Sequence, residues 1–209
     1  MKNTTFDTET KKEFVEQKFS ESSRIKNQEG ETLLHIATIQ GNFERIKFLI
    51  EEGADVKAVT NSWQTPLHYA VNFGWFEITK LLLESGAKVN ALTNFDYSPL
   101  HYAANQGRIN IAKLLIEKGA PLNIQNIFGQ TPLHLAANHE KSEFDCKDCG
   151  SRYQYCAASH GRIGVVKFLI EKKVKLYLED GDGFTALDLA KKFHFSEIVS
   201  LLIQAQAEK

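Results

Sequence analysis

Residues 65–70 read Thr-Pro-Leu-His-Tyr-Ala, and variants of this hexapeptide recur along the chain. Close copies begin at residues 32, 98 and 131, so the four starts are evenly spaced. A weaker copy, Thr-Ala-Leu-Asp-Leu-Ala, begins after a longer interval, at residue 185. Each copy is followed by an apolar triplet with the same spacing, at residues 48–50, 81–83, 114–116, 168–170 and 201–203. Two independent markers therefore indicate a tandem repeat with one interruption, located between the fourth and fifth copies.

Each repeat carries the signals of two helices. Thr65 is a favourable helix cap, and Pro66 takes the first helical position, where its missing N–H loses no hydrogen bond. Leu81 and Leu82 belong to a second segment, which has apolar residues at helical spacing. A glycine suited to end a helix in the left-handed conformation follows that segment in three repeats, at Gly53, Gly86 and Gly119. The repeat unit is therefore predicted to contain two helices.

The Thr-Pro-Leu-His-x-Ala motif at a 33-residue period resembles the ankyrin repeat. The resemblance implies an all-α solenoid of about five repeats, each a hairpin followed by two antiparallel helices. The predicted repeats are residues 28–60, 61–93, 94–126, 127–180 and 181–209, and the last is a C-terminal cap. The fourth contains a 21-residue insertion at 139–159, expected to protrude from the solenoid. Residues 1–27 precede the array, with a degenerate cap helix as one interpretation.

Composition limits the class of protein. With 25 Lys+Arg, 26 Asp+Glu and a net charge of -1, the chain lacks the basic excess typical of nucleic-acid binders. No apolar run reaches the ~18 residues of a membrane helix, and the first residues lack the apolar stretch of a secretory signal. We therefore expect a cytoplasmic monomer with a protein partner, and neither nucleic acid nor membrane as its target. Lys outnumbers Arg 20 to 5, as in AT-rich genomes such as those of some intracellular bacteria, so a host-directed role is a further expectation.

Four of the seven histidines occupy the same repeat position: His35, His68, His101 and His134. The resemblance implies that each imidazole bridges its hairpin and the neighbouring repeat through hydrogen bonds. No nucleophile recurs beside them together with a base and an orienting group. The sequence therefore predicts no catalytic residue and a protein that is not an enzyme.

The insertion contains all three cysteines. Cys146, Cys149 and Cys156 are followed by His160, and three thiolates with one imidazole make a tetrahedral set for a structural zinc ion. In a second interpretation, Cys156 is a buried helix residue and the other two cysteines are free thiols. In a third interpretation, cysteines of the insertion form a redox pair. The repeat array itself requires no cofactor.

Ankyrin arrays bind other proteins through hairpin tips and the inner faces of their first helices, and this implies the same surfaces here. Trp63 and Asp96 stand at a hairpin position where other repeats have glycine, and large exposed aromatics at turns are typical of binding sites. The alternative is that Trp63 and Phe95 pack against each other. The predicted partner-binding residues are Trp63, Gln64, Asn72, Phe73, Phe95, Asp96, Tyr97, Asn105, Gln106, Phe128 and Gln130, with the aromatic members expected to form one continuous stripe.

Two functions follow from these observations. The first is a protein-interaction module without chemistry of its own, which binds a partner through the concave face and the hairpin tips. The second is a metal-responsive or redox-responsive adaptor, in which the Cys-rich insertion modulates that binding.

Overall fold

A computed structural model gives the backbone of residues 25–138 and 153–208 and the side chains of residues 25–138 and 162–208. These residues contain ten α-helices and no β-strand. The helices are α1 (Leu33–Ile39), α2 (Phe43–Glu51), α3 (Pro66–Phe73), α4 (Phe76–Glu84), α5 (Pro99–Asn105), α6 (Ile109–Glu117), α7 (Pro132–Ala137), α8 (Tyr153–Glu171), α9 (Ala186–Lys192) and α10 (Ser196–Ala207). None of them is both long and apolar enough to cross a membrane.

The helices form two layers. The first helices of successive repeats (α1, α3, α5, α7 and α9) pack on one another in chain order, and the second helices (α2, α4, α6, α8 and α10) form a parallel row beside them. Each first helix also packs on the second helix of its own repeat. The predicted all-α solenoid of ankyrin-like repeats is therefore confirmed.

The core is a ladder of leucines. Leu67 on α3 and Leu82 on α4 are both fully buried, and one repeat later Leu100 and Leu115 occupy the same places. The other repeats supply the pairs Leu34 and Leu49, Leu133 and Leu169, and Leu187 and Leu202. Because every repeat contributes one leucine from each helix layer, the apolar core is continuous along the described solenoid.

The hairpins repeat one turn geometry. In the second hairpin the Thr60 N–H donates to the Gln64 carbonyl at 3.0 Å, and the Trp63 N–H donates to the Thr60 carbonyl at 3.0 Å. Trp63 and Asp96 have positive φ values of 61° and 57°, as do the glycines in the same slot of the other hairpins. A left-handed backbone costs most non-glycine residues roughly 1–2 kcal/mol, and Asp and Asn tolerate it better than others, so Trp63 in particular is retained at the expense of stability.

Lys173 provides a test of the same strain away from the hairpin tips. It has φ 57° in the slot that Gly119 fills with φ 90°, and its side chain is exposed. Lys173→Gly should therefore raise the free energy of unfolding by about 0.5–1 kcal/mol, since relief of strain exceeds the added chain entropy of glycine. Urea titration followed by circular dichroism measures this change. The neighbouring Lys172→Gly lacks a positive φ to relieve and should destabilise the protein, so equal effects of the two substitutions would contradict this explanation.

Two predicted segments lie wholly or partly outside the described residues. The proposed cap helix within residues 1–27 is one, since the description begins at residue 25. The insertion at 139–159 is the other: residues 139–152 are outside, whereas residues 153–159 are the start of α8. The third and fourth repeats can be aligned through their apolar triplets. In that alignment α8 begins well before the residue that corresponds to the start of α6.

Candidate functional site

The repeated histidines form a ladder of hydrogen bonds. The Thr65 N–H donates to Nδ1 of His68 at 3.1 Å, and Nε2 of His68 lies 3.1 Å from the Tyr97 carbonyl of the next repeat. His35, His101 and His134 make the equivalent contacts with the carbonyls of Gln64, Gln130 and Phe184. Because Nδ1 accepts from a backbone N–H while Nε2 faces a carbonyl, each imidazole must be neutral with its proton on Nε2.

Burial explains why these imidazoles are structural. It lowers the pKa of His68 and of His101 to about 4, and it also lowers the pKa of His35 and of His134. Both nitrogens of each ring have protein partners, and the side chains are buried. The bridging role implied by the ankyrin resemblance is confirmed, and it engages both nitrogens of each ring.

A cavity of about 350 Å³ opens where the second and third hairpins meet the first helices α5 and α7. We call it the central cavity. Its wall combines aromatic rings with amide and hydroxyl groups, and it contains the predicted binding residues Gln64, Phe95, Tyr97 and Asn105. Four predicted residues from three elements (the second hairpin, the third hairpin and α5) are therefore brought to one concave site. The remaining lining residues are Ser62, Thr93, Asn94, His101, Tyr102 and Leu135.

The rings beside the central cavity form one connected cluster. Phe95 stacks on Phe128 with centroids 6.3 Å apart, and Tyr97 lies 6.4 Å from Phe128 and 6.0 Å from Tyr102. Among the described residues no ring contact joins Trp63 or Phe73 to this cluster. The ring contacts therefore join Phe95, Tyr97 and Phe128 of the five predicted aromatic residues, and the alternative packing of Trp63 on Phe95 is not observed.

The other predicted binding residues lie around the cavity without lining it. Trp63 is 61% exposed at the tip of the second hairpin. Nε2 of Gln106 donates to Oδ1 of Asn72 at 3.2 Å, which links the ends of α3 and α5. Gln130 uses its backbone carbonyl to accept from His101 and its side chain to accept from Asn126. Trp63 therefore remains available to a partner, whereas Gln130 has a structural role.

Tyr102 and Leu135 are cavity residues that sequence analysis misses. Both occupy the variable position of the Thr-Pro-Leu-His-x-Ala motif, so the motif assigns them to the structural signature. The variable position changes residue type between repeats: it is Tyr69 and Tyr102 in the second and third repeats, but Ile36 and Leu135 in the first and fourth. This change is the signal that could have identified the position. The hydroxyl of Tyr102 accepts from Nε2 of Gln64 at 2.9 Å, and its position therefore depends on the preceding repeat.

A second aromatic surface lies at the loops between the paired helices. Trp75, Phe43 and Phe76 line a cavity of about 380 Å³, and all three are more than a third exposed. The indole of Trp75 covers Gly41 of the preceding repeat so closely that a β-carbon on Gly41 would lie 2.8 Å from ring atom Cζ2. The absence of a side chain at Gly41 is therefore required by close packing between repeats as well as by its φ of 67°.

The predicted zinc ligands cannot be placed. Cys146 and Cys149 lie outside the described residues, and Cys156 and His160 belong to the part of α8 whose side chains are not described. No cluster that could hold a metal ion occurs among the residues whose side chains the structure gives. The zinc site, the free thiols and the redox pair all stay predictions.

Comparison with protein families matches most of the chain to one kind of repeat. A model of ankyrin repeats in three copies matches residues 7–93, and models of ankyrin repeats in many copies match residues 82–136 and 154–203. The first match begins earlier than residue 28, where the motif alone places the start. A comparison with individually curated proteins gave no significant match. Together with the helix layers, the histidine ladder and the recurring hairpin turns, these matches show that the chain belongs to the ankyrin repeat family.

Proposed function

We propose that this protein is a non-enzymatic interaction module, and that repeats two to four bind a partner protein through the central cavity and the neighbouring hairpin tips. Ankyrin repeats are generally protein-interaction modules, and the family is typically non-enzymatic. The observation that carries the assignment to this face is the central cavity, which brings Gln64, Phe95, Tyr97 and Asn105 together. Pockets with mostly apolar walls and a few convergent polar groups are the usual form of a recognition site.

The hairpin tips beside the cavity strengthen this proposal. Phe95 and Phe128 are each 49% exposed although they stack on one another, and Trp63 and Ile127 are more exposed still. Clustered exposed aromatics are costly for solubility and are enriched among the residues that dominate binding energies. Trp63 gives the same indication, because its left-handed backbone is strained and glycine would adopt it without strain. A large aromatic residue that is retained at a strained position is typical of a functional site.

Replacing exposed aromatics at the tips tests the proposed face. Trp63→Ala and Phe95→Ala should each weaken partner binding by roughly 2 kcal/mol, or about 30-fold in Kd, if they are central contacts. Trp63→Ala should change stability little, since alanine bears the same left-handed strain. The partner is captured with the wild-type chain from native lysate, identified by mass spectrometry, purified and titrated by calorimetry.

Tyr177→Ala is the matched control. Tyr177 is 65% exposed, close to the 61% of Trp63, but it lies neither at a hairpin tip nor in the central cavity. Its replacement should leave Kd unchanged. Normal binding by both tip variants, or equal losses in the tip variants and the control, would place the interface elsewhere.

A further inference from the structure

The central cavity has an uncharged wall. Its ten lining residues include no Asp, Glu, Lys or Arg. Burial raises the pKa of Tyr97 and of Tyr102, so both phenols are protonated at neutral pH. His101 is neutral as well, because burial lowers its pKa to about 4. A charged side chain entering the cavity would lose its hydration without meeting an opposite charge.

Several polar groups of the wall are available to a bound molecule. The Tyr102 hydroxyl accepts from Gln64, but its own hydrogen has no acceptor among the described residues. The side-chain amides of Asn94 and Asn105 likewise make no hydrogen bond with any described group. Aromatic walls with free neutral donors and acceptors fit a large side chain that has an apolar body and no charge.

The hairpin tips carry carboxylates and no basic residue. The five hairpin tips (residues 27–31, 60–64, 93–97, 126–130 and 180–184) contain no Lys or Arg. Their carboxylates are Asp96 on the third tip, beside the cavity, Glu29 and Glu31 on the first tip, and Asp180 and Asp182 on the fifth, whereas the second and fourth tips have none. The first helices α1, α3, α5 and α7 contain no charged residue at all. The second helices of the array carry both signs of charge. A partner segment on the tips therefore meets carboxylates without competing cations from the tips themselves.

Three basic side chains of the array have other partners. Nη1 of Arg162 donates to the Asn105 carbonyl at 3.1 Å, and Arg162 lines a separate cavity of about 190 Å³. Nζ of Lys26 donates to the Val59 carbonyl at one end of the array. At the other end Nζ of Lys192 lies 4.7 Å from the ring centroid of Phe184. The acidic tips are thus not neutralised by these three side chains in ion pairs.

We propose that the partner segment inserts one aromatic side chain into the central cavity, next to Asp96, and carries Lys or Arg on either side of it, toward the carboxylates of the first and fifth hairpin tips. This inference rests on the proposed function, because it assigns the chemistry of the partner at the same site. It commits to a basic segment of a protein, since the cavity requires a neutral insert and the hairpin tips attract positive charge.

Selection from a random dodecapeptide library displayed on phage tests this composition. Peptides retained by the immobilised wild-type chain should share a Trp, Tyr or Phe flanked by Lys or Arg. The aromatic residue is expected to be essential in synthetic versions of these peptides: its replacement by Ala, or by Lys, should raise Kd more than tenfold. Enrichment of acidic or uncharged sequences, or no enrichment over the unselected library, would overturn the inference.

Two triple variants separate local charge from net charge. Glu29→Gln, Asp96→Asn and Asp182→Asn together remove one carboxylate from each of the first, third and fifth tips, and we call this combination the rim variant. Asn tolerates the left-handed backbone at position 96. The matched control combines Glu77→Gln, Glu84→Gln and Glu117→Gln on the second helices, and it changes net charge equally. The rim variant should raise the Kd of selected peptides about tenfold at low salt and less at high salt, whereas the control should not.

Asn105→Arg tests the cavity itself by adding a cation to its wall, and Asn94→Lys does so at an exposed hairpin position if the first variant folds poorly. Loss of binding in these variants, together with sensitivity to the rim variant, supports the inference. Loss of binding without sensitivity to rim charge refutes the basic composition and leaves the proposed face in place. Unchanged binding in the cavity variants refutes both the inference and the proposed face.

Discussion

Leu115→Ala should lower the free energy of unfolding by about 2–5 kcal/mol, because removing a fully buried leucine loses transfer free energy and leaves a cavity. Leu115 is 0% exposed on α6, which packs between α4 of the preceding repeat and α8 of the following one. To fill the cavity left by the substitution, helices of three repeats would have to shift. The cost is therefore expected in the upper part of that range. Urea titration followed by far-ultraviolet circular dichroism measures it.

Leu114→Ala is the matched control, since it is the same substitution one position earlier on the same helix. Leu114 is only partly buried, so its loss should cost about 1 kcal/mol or less. Leu82→Ala, at the equivalent position of the preceding repeat, should resemble Leu115→Ala because Leu82 is also 0% exposed. Similar losses for the variants at 114 and 115 would contradict the described orientation of α6.

Lowering the pH from 6.5 to 4.5 should destabilise the protein by several kcal/mol. The pKa of His68 and of His101 is about 4 in the folded chain, against 6.5 for an unperturbed histidine, because both rings are buried. Unfolding therefore takes up protons below pH 6.5. The stabilisation is complete above pH 6.5 and is lost as the pH falls toward 4. Each ring contributes about 3 kcal/mol at neutral pH if its full shift is realised.

Urea titrations at several pH values between 7.5 and 4.5 measure this effect, since most carboxylates titrate below that window. His101→Gln supplies the control: it should lower stability at every pH through lost hydrogen bonds, but the remaining pH dependence should be weaker by about one titrating group. A free energy of unfolding that is flat from pH 7.5 to 4.5 would show that the imidazoles are not held in the neutral form.

The fold is predictable because its signals are local and repeated. A cap at Thr65, a proline at position 66 and a left-handed glycine at position 86 each act within one turn of chain, and their recurrence in successive repeats removes ambiguity. The same alignment places Trp63 and Asp96 in a slot that other repeats fill with glycine, and both residues have the left-handed backbone. The alignment does not reveal that α8 begins at Tyr153, because the insertion interrupts the period that locates the other helices.

The site is predictable only in part. Gln64, Phe95, Tyr97 and Asn105 do line one cavity, but Trp63 and Phe73 are separate from the ring cluster that was expected to include them. Tyr102 escapes sequence analysis because its position belongs to the structural motif. A periodic pattern shows which residues are equivalent in successive repeats. It does not show which side chains of different repeats come into contact.

The sequence by itself determined the repeat unit, its period, the apolar helix faces and, through the family resemblance, the bridging role of the histidines, since each depends on interactions within one repeat or with its immediate neighbour. Only the tertiary structure decided the geometry of the central cavity. Leu135, Tyr102 and Ser62 lie in three different repeats, and they line one cavity because the stacking of those repeats brings them together. Stacking angles depend on side-chain packing between helices, such as that of Trp75 on Gly41, and this information is not local in the chain.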